Sequence, residues 1–217
     1  MKPPLKIDFV SDVSCPWCAI GLQALLQAIE RIGPDLPIEL HFQPFELNPQ
    51  MPPGGQDIGE HLTQKYGSTP AKQAEIREMI RQRGAEVGFA FKPEGRGRIY
   101  NTFDAHRLLL WAEREGQPGQ QHALKKALLT AYHGRAESPE SHEVLLRLAT
   151  EVGLDADRAR AVLASGEFAD EVRAQETLYQ RAGIQSVPAV VINDRHLISG
   201  GQPAEVFEQA LRQIAAA

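Results

Sequence analysis

The two cysteines of the 217-residue chain lie close together, in the run Ser14-Cys15-Pro16-Trp17-Cys18. Two thiols at this spacing on a strand-to-helix turn can close an intramolecular disulfide and reopen it by thiol–disulfide exchange. Cys15 is the candidate nucleophile, because the unpaired N–H groups and the dipole of a helix N-terminus favour a thiolate. Cys18, one helical turn later, is the candidate resolving thiol, more buried and less acidic. The pattern predicts a dithiol redox site.

Two other interpretations of the cysteine pair are disfavoured. Zinc normally takes four ligands. The chain has no second cysteine pair, and its seven histidines form no ligand-like local pair, so we expect no metal site. Two unrelated core cysteines would not explain the surrounding pattern of strand, capping serine, proline and helix, which is typical of redox sites.

The elements around the pair read as β, α, β. Residues 5–10 alternate between apolar and charged and then become fully apolar, as a mostly buried strand does. Ser14 is the predicted helix N-cap, and Pro16 suits the first turn of a helix over 18–31. Residues 38–45 alternate between apolar and polar and predict a second strand. This order predicts a parallel pair joined by a right-handed crossover.

A Pro/Gly-rich connector over 48–55 leads to a long helical region. Glycine, proline and serine turn signals separate its segments. The predicted helices cover 58–66, 71–83, 102–115, 120–133, 141–152, 155–164 and 167–182. This region is large enough to pack a core of its own.

The strand pattern returns near the C-terminus. Residues 187–192 are β-branched and apolar, the turn signal Asn193-Asp194 follows, and 196–199 form the partner strand of a hairpin. A last helix covers 204–214. Pro188 stands at the start of a buried strand, where it marks either a cis peptide bond or an ordinary loop-to-strand boundary. The outer parts must come together, because neither alone makes a stable sheet.

The run DVSCPWCAIG (12–21) resembles the active site of the DsbA family of thioredoxin-fold oxidoreductases, and more narrowly its cytosolic FrnE-like branch. Four further stretches match that branch in the same order: PFELNP (44–49), NTFDAHRL (101–108), GIQSVPAVVI (183–192) and ISGGQP (198–203). The resemblance implies an α/β, thioredoxin-like fold over 1–55 and 183–217. A large α-helical domain, 56–182, is then inserted between the second strand and the cis-Pro strand.

The resemblance also implies the residues that shape the site. Pro188 would be cis, and Val187 would lie beside the sulfurs and hold a substrate's cysteine segment in a strand-like pose. Trp17 would tune the exposure and acidity of Cys15, unless it is simple surface packing. Pro16, Trp17 and Val187 together would set the reduction potential of the pair.

Three polar residues have open roles. Asn101 and His106 are candidates for the substrate groove, although on a helix they do not share quite the same face, and His106 could equally be a satisfied core histidine. Glu46 is either a solvated loop carboxylate or a group near the site.

The carboxylate that many thioredoxin-fold enzymes bury upstream of the dithiol is replaced here by Phe9. Asp8 and Asp12 are nearby, and we assign no proton-handling role to either. The extra C-terminal cysteines of some FrnE-like proteins are absent, so no second relay is expected.

Composition limits the partners. The net charge of −5, without a stripe of Lys and Arg with interleaved aromatics, disfavours nucleic acid. No stretch approaches the length of a transmembrane helix, and the first eight residues lack the apolar core of a signal peptide. The expected compartment is the cytoplasm, where a structural disulfide would not persist.

The sequence therefore predicts an enzyme, a thiol–disulfide oxidoreductase that acts on protein or low-molecular-weight disulfides through Cys15 and Cys18. It needs no metal or nucleotide cofactor, and glutathione is a candidate redox partner. One alternative is a glutathione-dependent isomerase of the 2-hydroxychromene-2-carboxylate isomerase type, whose active position is typically Ser rather than a Cys pair. Another is a non-catalytic, chaperone-like binding module. Oligomeric state, reduction potential and physiological substrate stay open.

Overall fold

The computed structural model describes residues 4–216. Its strands are β1 (Leu5–Ser11), β2 (Ile38–Pro44), β3 (Gln56–Asp57), β4 (Arg98–Ile99), β5 (Ala189–Ile192) and β6 (His196–Ser199). Its helices are α1 (Pro16–Ile32), α2 (Ile58–Tyr66), α3 (Pro70–Glu86), α4 (Phe103–Glu115), α5 (Gln120–Leu129), α6 (His142–Glu151), α7 (Ala156–Ala164), α8 (Ala169–Arg181) and α9 (Ala204–Ala216). Residues 1–3 and 217 lie outside the described residues. The predicted domain ranges begin and end in them, and residues 1–3 are part of the segment that was expected not to be a signal peptide.

The central sheet has four strands in the order β2-β1-β5-β6. β1 runs parallel to β2, with Leu5 opposite Ile38, and antiparallel to β5. The β5–β6 hairpin turns at Asn193-Asp194, where both residues have positive φ (51° and 54°). Such φ values suit the tight hairpin turns that Asn and Asp tolerate. The predicted parallel pair and hairpin are confirmed.

β1 is buried on both faces, which explains its apolar sequence. On one face Ile7 and Phe9 pack in a core shared with α1 and α9, including Leu22 and Phe207. On the other face Val10 packs with Phe45, Ile184 and Ala189. The turn after β1 is therefore fixed from both sides.

Helices α2 to α8 lie between β2 and β5 in the chain, and α4 to α7 form a second apolar core. Val13, from the turn after β1, packs in that second core. Gln121 of α5 also binds the edge of β2: its amide nitrogen donates to Phe42 O at 3.0 Å, and its oxygen accepts from Phe42 N at 3.1 Å. The helical insertion therefore contacts both the edge of the sheet and the turn that carries the cysteines.

The predicted fold class, a thioredoxin-like fold with a helical insertion between the second strand and the Pro188 strand, is confirmed. Two predicted helix bounds were wrong, and two short strands were missed. The predicted helix 120–133 ends at Leu129 and continues as a π-helical turn, Thr130–Gly134. Phe168 takes a positive φ of 63°, so the following helix begins at Ala169. The two-residue strands β3 and β4 were not predicted, because they are too short to show a period. The exact domain boundaries stay a prediction.

No helix within residues 4–216 is long and apolar enough to cross a membrane.

Candidate active site

The two thiols lie at the N-terminus of α1, as the sequence predicts. Cys15 is the N-cap residue with extended backbone (φ −89°, ψ 116°), and Pro16 begins the helix. The backbone N–H of Cys18 donates to Cys15 O at 3.1 Å. Both cysteines are free thiols, with Cys15 5% exposed and Cys18 fully buried. Any substrate must therefore reach Cys15 first.

Asp12 organises the turn between β1 and α1. Its carboxylate accepts from the backbone N–H of Ser14 at 3.0 Å and the Ser14 hydroxyl at 2.7 Å. It also accepts from Leu47 N at 2.7 Å and from the Thr102 hydroxyl at 2.8 Å. The prediction of Ser14 as N-cap was wrong, because its hydroxyl is bound to Asp12. No side chain caps α1, so its first N–H groups are left for the Cys15 sulfur.

The Asp12 carboxylate is a fixed buried anion. Burial by itself raises the pKa of Asp12. His106, whose Nε2 lies 3.6 Å from Asp12 Oδ1, and the N–H groups of Leu47 and Ser14 outweigh burial and hold that pKa well below its usual range. A buried carboxylate thus does accompany the dithiol, at Asp12 in the turn rather than at Phe9 in the strand.

The two thiols differ in acidity. Interaction with the Cys18 thiol and the N–H groups of Cys18 and Trp17 lowers the pKa of Cys15, against burial and the charge of Asp12. Burial, and then the neighbouring Cys15, raises the pKa of Cys18 well above its usual value. The less acidic and more buried thiol is Cys18, as the sequence predicts.

The Val187–Pro188 peptide bond is cis, which confirms the expectation from the family resemblance. Val187 O lies 3.6 Å from Cys15 Sγ and accepts from the thiol. Gly21 of α1 permits this close approach, because a Cβ there would stand 3.0 Å from Pro188 Cγ and 3.1 Å from Gly201 Cα. The Pro188 loop and the dithiol helix are therefore in direct contact.

A cleft of about 300 Å³ opens beside Cys15. Pro16 and Trp17, both half-buried, form the wall next to the sulfur, and α2 and α3 form the opposite wall. The lining is mainly apolar, with contributions from Ile58, Leu62, Ile76, Ile80, Phe91 and Ile99. The cleft could receive a ligand with an apolar body.

Basic residues also line this cleft: Arg77, Arg81, Lys92 and Arg96. Arg81 pairs with Glu78 at 2.7 Å, and Arg96 Nη1 donates to His133 Nδ1 at 3.0 Å. Among residues 4–216, no hydrogen bond or ion pair engages the side chains of Arg77 or Lys92. These two cations are available to an anionic group on a ligand.

The structure does not bring Asn101 and His106 to the cleft. His106 is 2% exposed and lies behind the turn, against Asp12. Asn101 accepts from Phe103 N at 2.9 Å at the start of α4. Among the described residues, neither lines the cleft. His106 acts on the site through Asp12.

The other two carboxylates are structural. Glu46 is buried and forms an ion pair with Arg173, which also pairs with Glu176 at 2.7 Å. Burial raises the pKa of Glu46. Asp8 is buried in β1 and pairs with Lys6 Nζ at 3.0 Å.

Sequence reasoning missed two buried bases near the dithiol. His133 Nε2 donates to Val13 O at 2.9 Å, and burial keeps the pKa of His133 well below its usual value. Lys125 of α5 is fully buried, and within residues 4–216 its Nζ has no hydrogen-bond partner. One signal was present: Lys125 lies one helical turn before the apolar Leu128 and Leu129.

A family model for the DSBA-like thioredoxin domain matches residues 6–212. The chain belongs to the DsbA-like thioredoxin family. It is accordingly an enzyme of the DsbA-like disulfide oxidoreductase class. A comparison with curated proteins gives no match. Within residues 4–216, no group of three or more His, Cys, Asp or Glu side chains is arranged to hold a metal ion.

Solved structures agree with this family. A Streptomyces coelicolor protein described as a probable DsbA oxidoreductase is 34% identical, with a TM-score of 0.86, over 96% of this chain and 89% of the other. Two more distant proteins share the fold. The cytosolic disulfide reductase DsbM from Pseudomonas aeruginosa, solved with GSH, is 20% identical (TM-score 0.65, 98% and 100% of the two chains). A 2-hydroxychromene-2-carboxylate isomerase is 14% identical (TM-score 0.72, 96% and 95%).

Proposed function

We propose that Cys15 and Cys18 are the reacting thiols of this disulfide oxidoreductase. The observation that supports this best is the asymmetry of the pair: a lowered Cys15 pKa beside an open cleft, and a raised Cys18 pKa behind it. The Cys15 thiolate attacks a substrate disulfide, forms a mixed disulfide and releases one thiolate. Cys18 then attacks Cys15 Sγ, closes the internal disulfide and releases the second thiol. The reverse sequence reduces the protein and oxidises two thiols.

Val187, Pro16 and Trp17 are the proposed substrate-positioning residues. Val187 O is within 3.6 Å of the nucleophilic sulfur, so its backbone can pair with an extended substrate segment around a cysteine. Pro16 and Trp17 line the cleft on the same side as that sulfur. Pro188 holds the Val187 carbonyl in place through its contact with Gly21.

Glutathione is the proposed redox partner, in a cycle that uses no metal or nucleotide cofactor. Glutathione carries two carboxylates, and Arg77 and Lys92 offer two cations in the cleft beside Cys15. DsbM, which shares the fold, is described as a cytosolic disulfide reductase and was solved with GSH. On this basis we also propose the cytosol as compartment and the FrnE-like branch as subfamily.

A trapping experiment tests the reacting thiols. Reduced wild-type protein is mixed with glutathione disulfide, and the products are resolved by mass. Wild type should form the internal disulfide, Cys18→Ser should accumulate a stable mixed disulfide at Cys15, and Cys15→Ser should form neither at a comparable rate. Slow alkylation of Cys15 near neutral pH, together with failure to form an internal disulfide, would refute the proposal.

A glutathione-dependent isomerase remains the second candidate, because the isomerase fold covers 96% of this chain. The discriminating variant is Cys18→Ala. An isomerase should keep its small-molecule turnover in this variant, whereas disulfide exchange should be lost beyond the mixed-disulfide stage.

A further inference from the structure

Lys125 is a buried cation whose presence packing does not explain. It lies on α5 among leucines, with Leu124 and Leu128 buried on the same helix. Its Nζ is fully enclosed and, within residues 4–216, finds no acceptor for its three N–H donors. A buried ammonium without a hydrogen-bonded partner is strongly unfavourable, and an apolar side chain of similar size would fill the space without that cost.

The surroundings of Lys125 connect it to the dithiol. Leu129, one turn further along α5, packs in the same apolar core as Cys15 and Cys18. Burial lowers the pKa of Lys125, and the ionised forms of Cys18, Asp12 and Cys15, in decreasing order, oppose this by favouring the ammonium. His133, in the turn after α5, is the neutral base that also feels the charge of Lys125. Lys125 is fully buried and does not line the cleft, so its charge acts on the dithiol from within the protein interior.

Cys18 is the group that needs this charge. Its thiol is fully buried, and to attack the mixed disulfide it must become a thiolate in an apolar core. Asp12 cannot help, because its carboxylate is a fixed anion bound by Ser14, Leu47 and Thr102. Of the charged groups that act on Cys18, Lys125 is the cation that favours its ionised form.

We propose that Lys125 is a positioning residue for the resolving step, in which its ammonium is the counter-charge of the Cys18 thiolate. Cys18 gives up its proton, which ends on the departing substrate thiolate. Its sulfur attacks Cys15 Sγ, the bond between Cys15 and the substrate sulfur breaks, and the Cys15–Cys18 bond forms. Over the two exchange steps, two electrons pass from the cysteine sulfurs, one from each, to the two sulfurs of the substrate disulfide, and Lys125 is unchanged at the end.

The inference rests on the proposed roles of Cys15 and Cys18. One experiment distinguishes a failure of this inference from a failure of those proposed roles. Reduced protein is mixed in a stopped-flow instrument with dithiobis-nitrobenzoate, a disulfide whose released thiolate is coloured. Attack by Cys15 gives a first phase whose rate rises with the concentration of the probe. Attack by Cys18 gives a second, intramolecular phase, whose rate does not depend on the concentration of the probe. If wild type shows no second phase, the proposed function fails; if it does, the variants decide the role of Lys125.

Lys125→Met should slow the second phase about tenfold or more at neutral pH, because an opposite charge nearby shifts a thiol pKa by about 1–3 units. The first phase should change much less. In Lys125→Met the rate of the second phase should keep rising to higher pH than in wild type before it levels off. Lys125→Arg, which keeps the charge, should restore most of the rate. The control is Lys126→Met, an exposed neighbour on α5, which should leave both phases unchanged.

Thermal unfolding of the oxidised protein gives a second readout. Lys125→Met should unfold at the same temperature as wild type or higher, because it removes an unpaired buried charge. An unchanged second phase, an equal loss in both phases, or a Lys125→Met variant that does not fold would each overturn the proposal. The last result would show that Lys125 is a structural residue.

Discussion

The hydroxyl of Thr102 donates to Asp12 Oδ1 at 2.8 Å, across 90 residues of sequence. This bond joins the start of α4, in the helical insertion, to the turn that carries Cys15. Together with the Leu47 and Ser14 bonds it fixes a buried negative charge beside the nucleophile. The charge of Asp12 raises the pKa of Cys15 and so moderates its acidity. Asp12 therefore makes Cys15 less acidic and also holds the turn in place through its hydrogen bonds.

Asp12→Asn should make Cys15 more acidic. Removal of the charge lowers the pKa of Cys15, so alkylation by iodoacetamide should be several-fold faster at pH values below that pKa. Thr102→Val is the matched control, since it removes one hydrogen bond and keeps the charge. It should leave the pH profile in place and cost about 1 kcal/mol of stability. An unchanged alkylation profile in Asp12→Asn would contradict the assignment.

Asp12 should also make stability depend on pH. Its folded-state pKa is lowered, so the stabilisation is fully present above its unfolded pKa of about 4 and is lost as the pH falls below that value. Urea unfolding of wild type and Asp12→Asn at several pH values measures this. The difference in free energy of unfolding should be about 1–3 kcal/mol near neutral pH and should shrink in acid. A difference that does not vary with pH would exclude an ionised Asp12.

Gly21→Ala should impair exchange. The new Cβ would stand 3.0 Å from Pro188 Cγ and 3.1 Å from Gly201 Cα, so the Pro188 loop must move away from Cys15. We expect a several-fold loss of disulfide exchange and a stability cost of about 1–3 kcal/mol. Gly166→Ala is the control, because a Cβ there meets nothing within 4 Å. Equal behaviour of the two variants would argue against a functional contact between Gly21 and Pro188.

Arg77→Glu and Lys92→Glu should discriminate between substrates by charge. Both cations line the cleft, and no described residue pairs with their side chains. For glutathione disulfide, KM should rise roughly tenfold for each variant, which corresponds to a loss of about 1.4 kcal/mol. For the neutral hydroxyethyl disulfide it should hardly change. Lys126→Glu, outside the cleft, controls for net charge. Equal effects on both substrates would show that the cleft does not recognise anions.

The fold was predictable where local signals are strong. The helix predicted over 58–66 has those bounds in the structure, because both ends carry clear signals. The Asp57 side chain accepts from Glu60 N at 3.0 Å at its start, and Gly67 takes a left-handed φ of 64° at its end. Cys15 and Cys18 were likewise identified from a short contiguous motif, whereas the cis bond at Pro188 was expected from the family resemblance.

The rest of the site depends on tertiary placement. The helical insertion must fold onto the turn after β1 before it brings His133 and Lys125 to Asp12. The spacing of residues in the sequence does not predict this arrangement. His106 illustrates the converse: its motif suggested the substrate groove, but helix α4 directs it to the buried side of Asp12. In sequence, Lys125 is one of several polar residues on α5, together with Gln121, His122 and Lys126, and nothing marks it as buried. Its proposed role in the resolving step can be inferred only when the positions of the buried sulfurs are known.

Arg173→Met tests a further buried carboxylate, that of Glu46. Glu46 has 1% side-chain exposure and is paired with Arg173, which is itself 45% exposed. Loss of the guanidinium leaves the Glu46 carboxylate buried without its cation, so the free energy of unfolding should fall by about 1–3 kcal/mol, less than for a fully buried pair.

The pH dependence of this loss has the opposite sign to that of Asp12. The pKa of Glu46 is raised in the folded protein, so stability increases as the pH falls through that pKa and the carboxyl is neutralised. Arg173→Met should therefore recover part of its stability in mild acid. The double variant Glu46→Gln with Arg173→Met should recover most of it at neutral pH, because the buried charge is gone. If the double variant is no more stable than Arg173→Met, the loss comes instead from the packing of Arg173 over the Phe103 ring, 3.9 Å from its centroid.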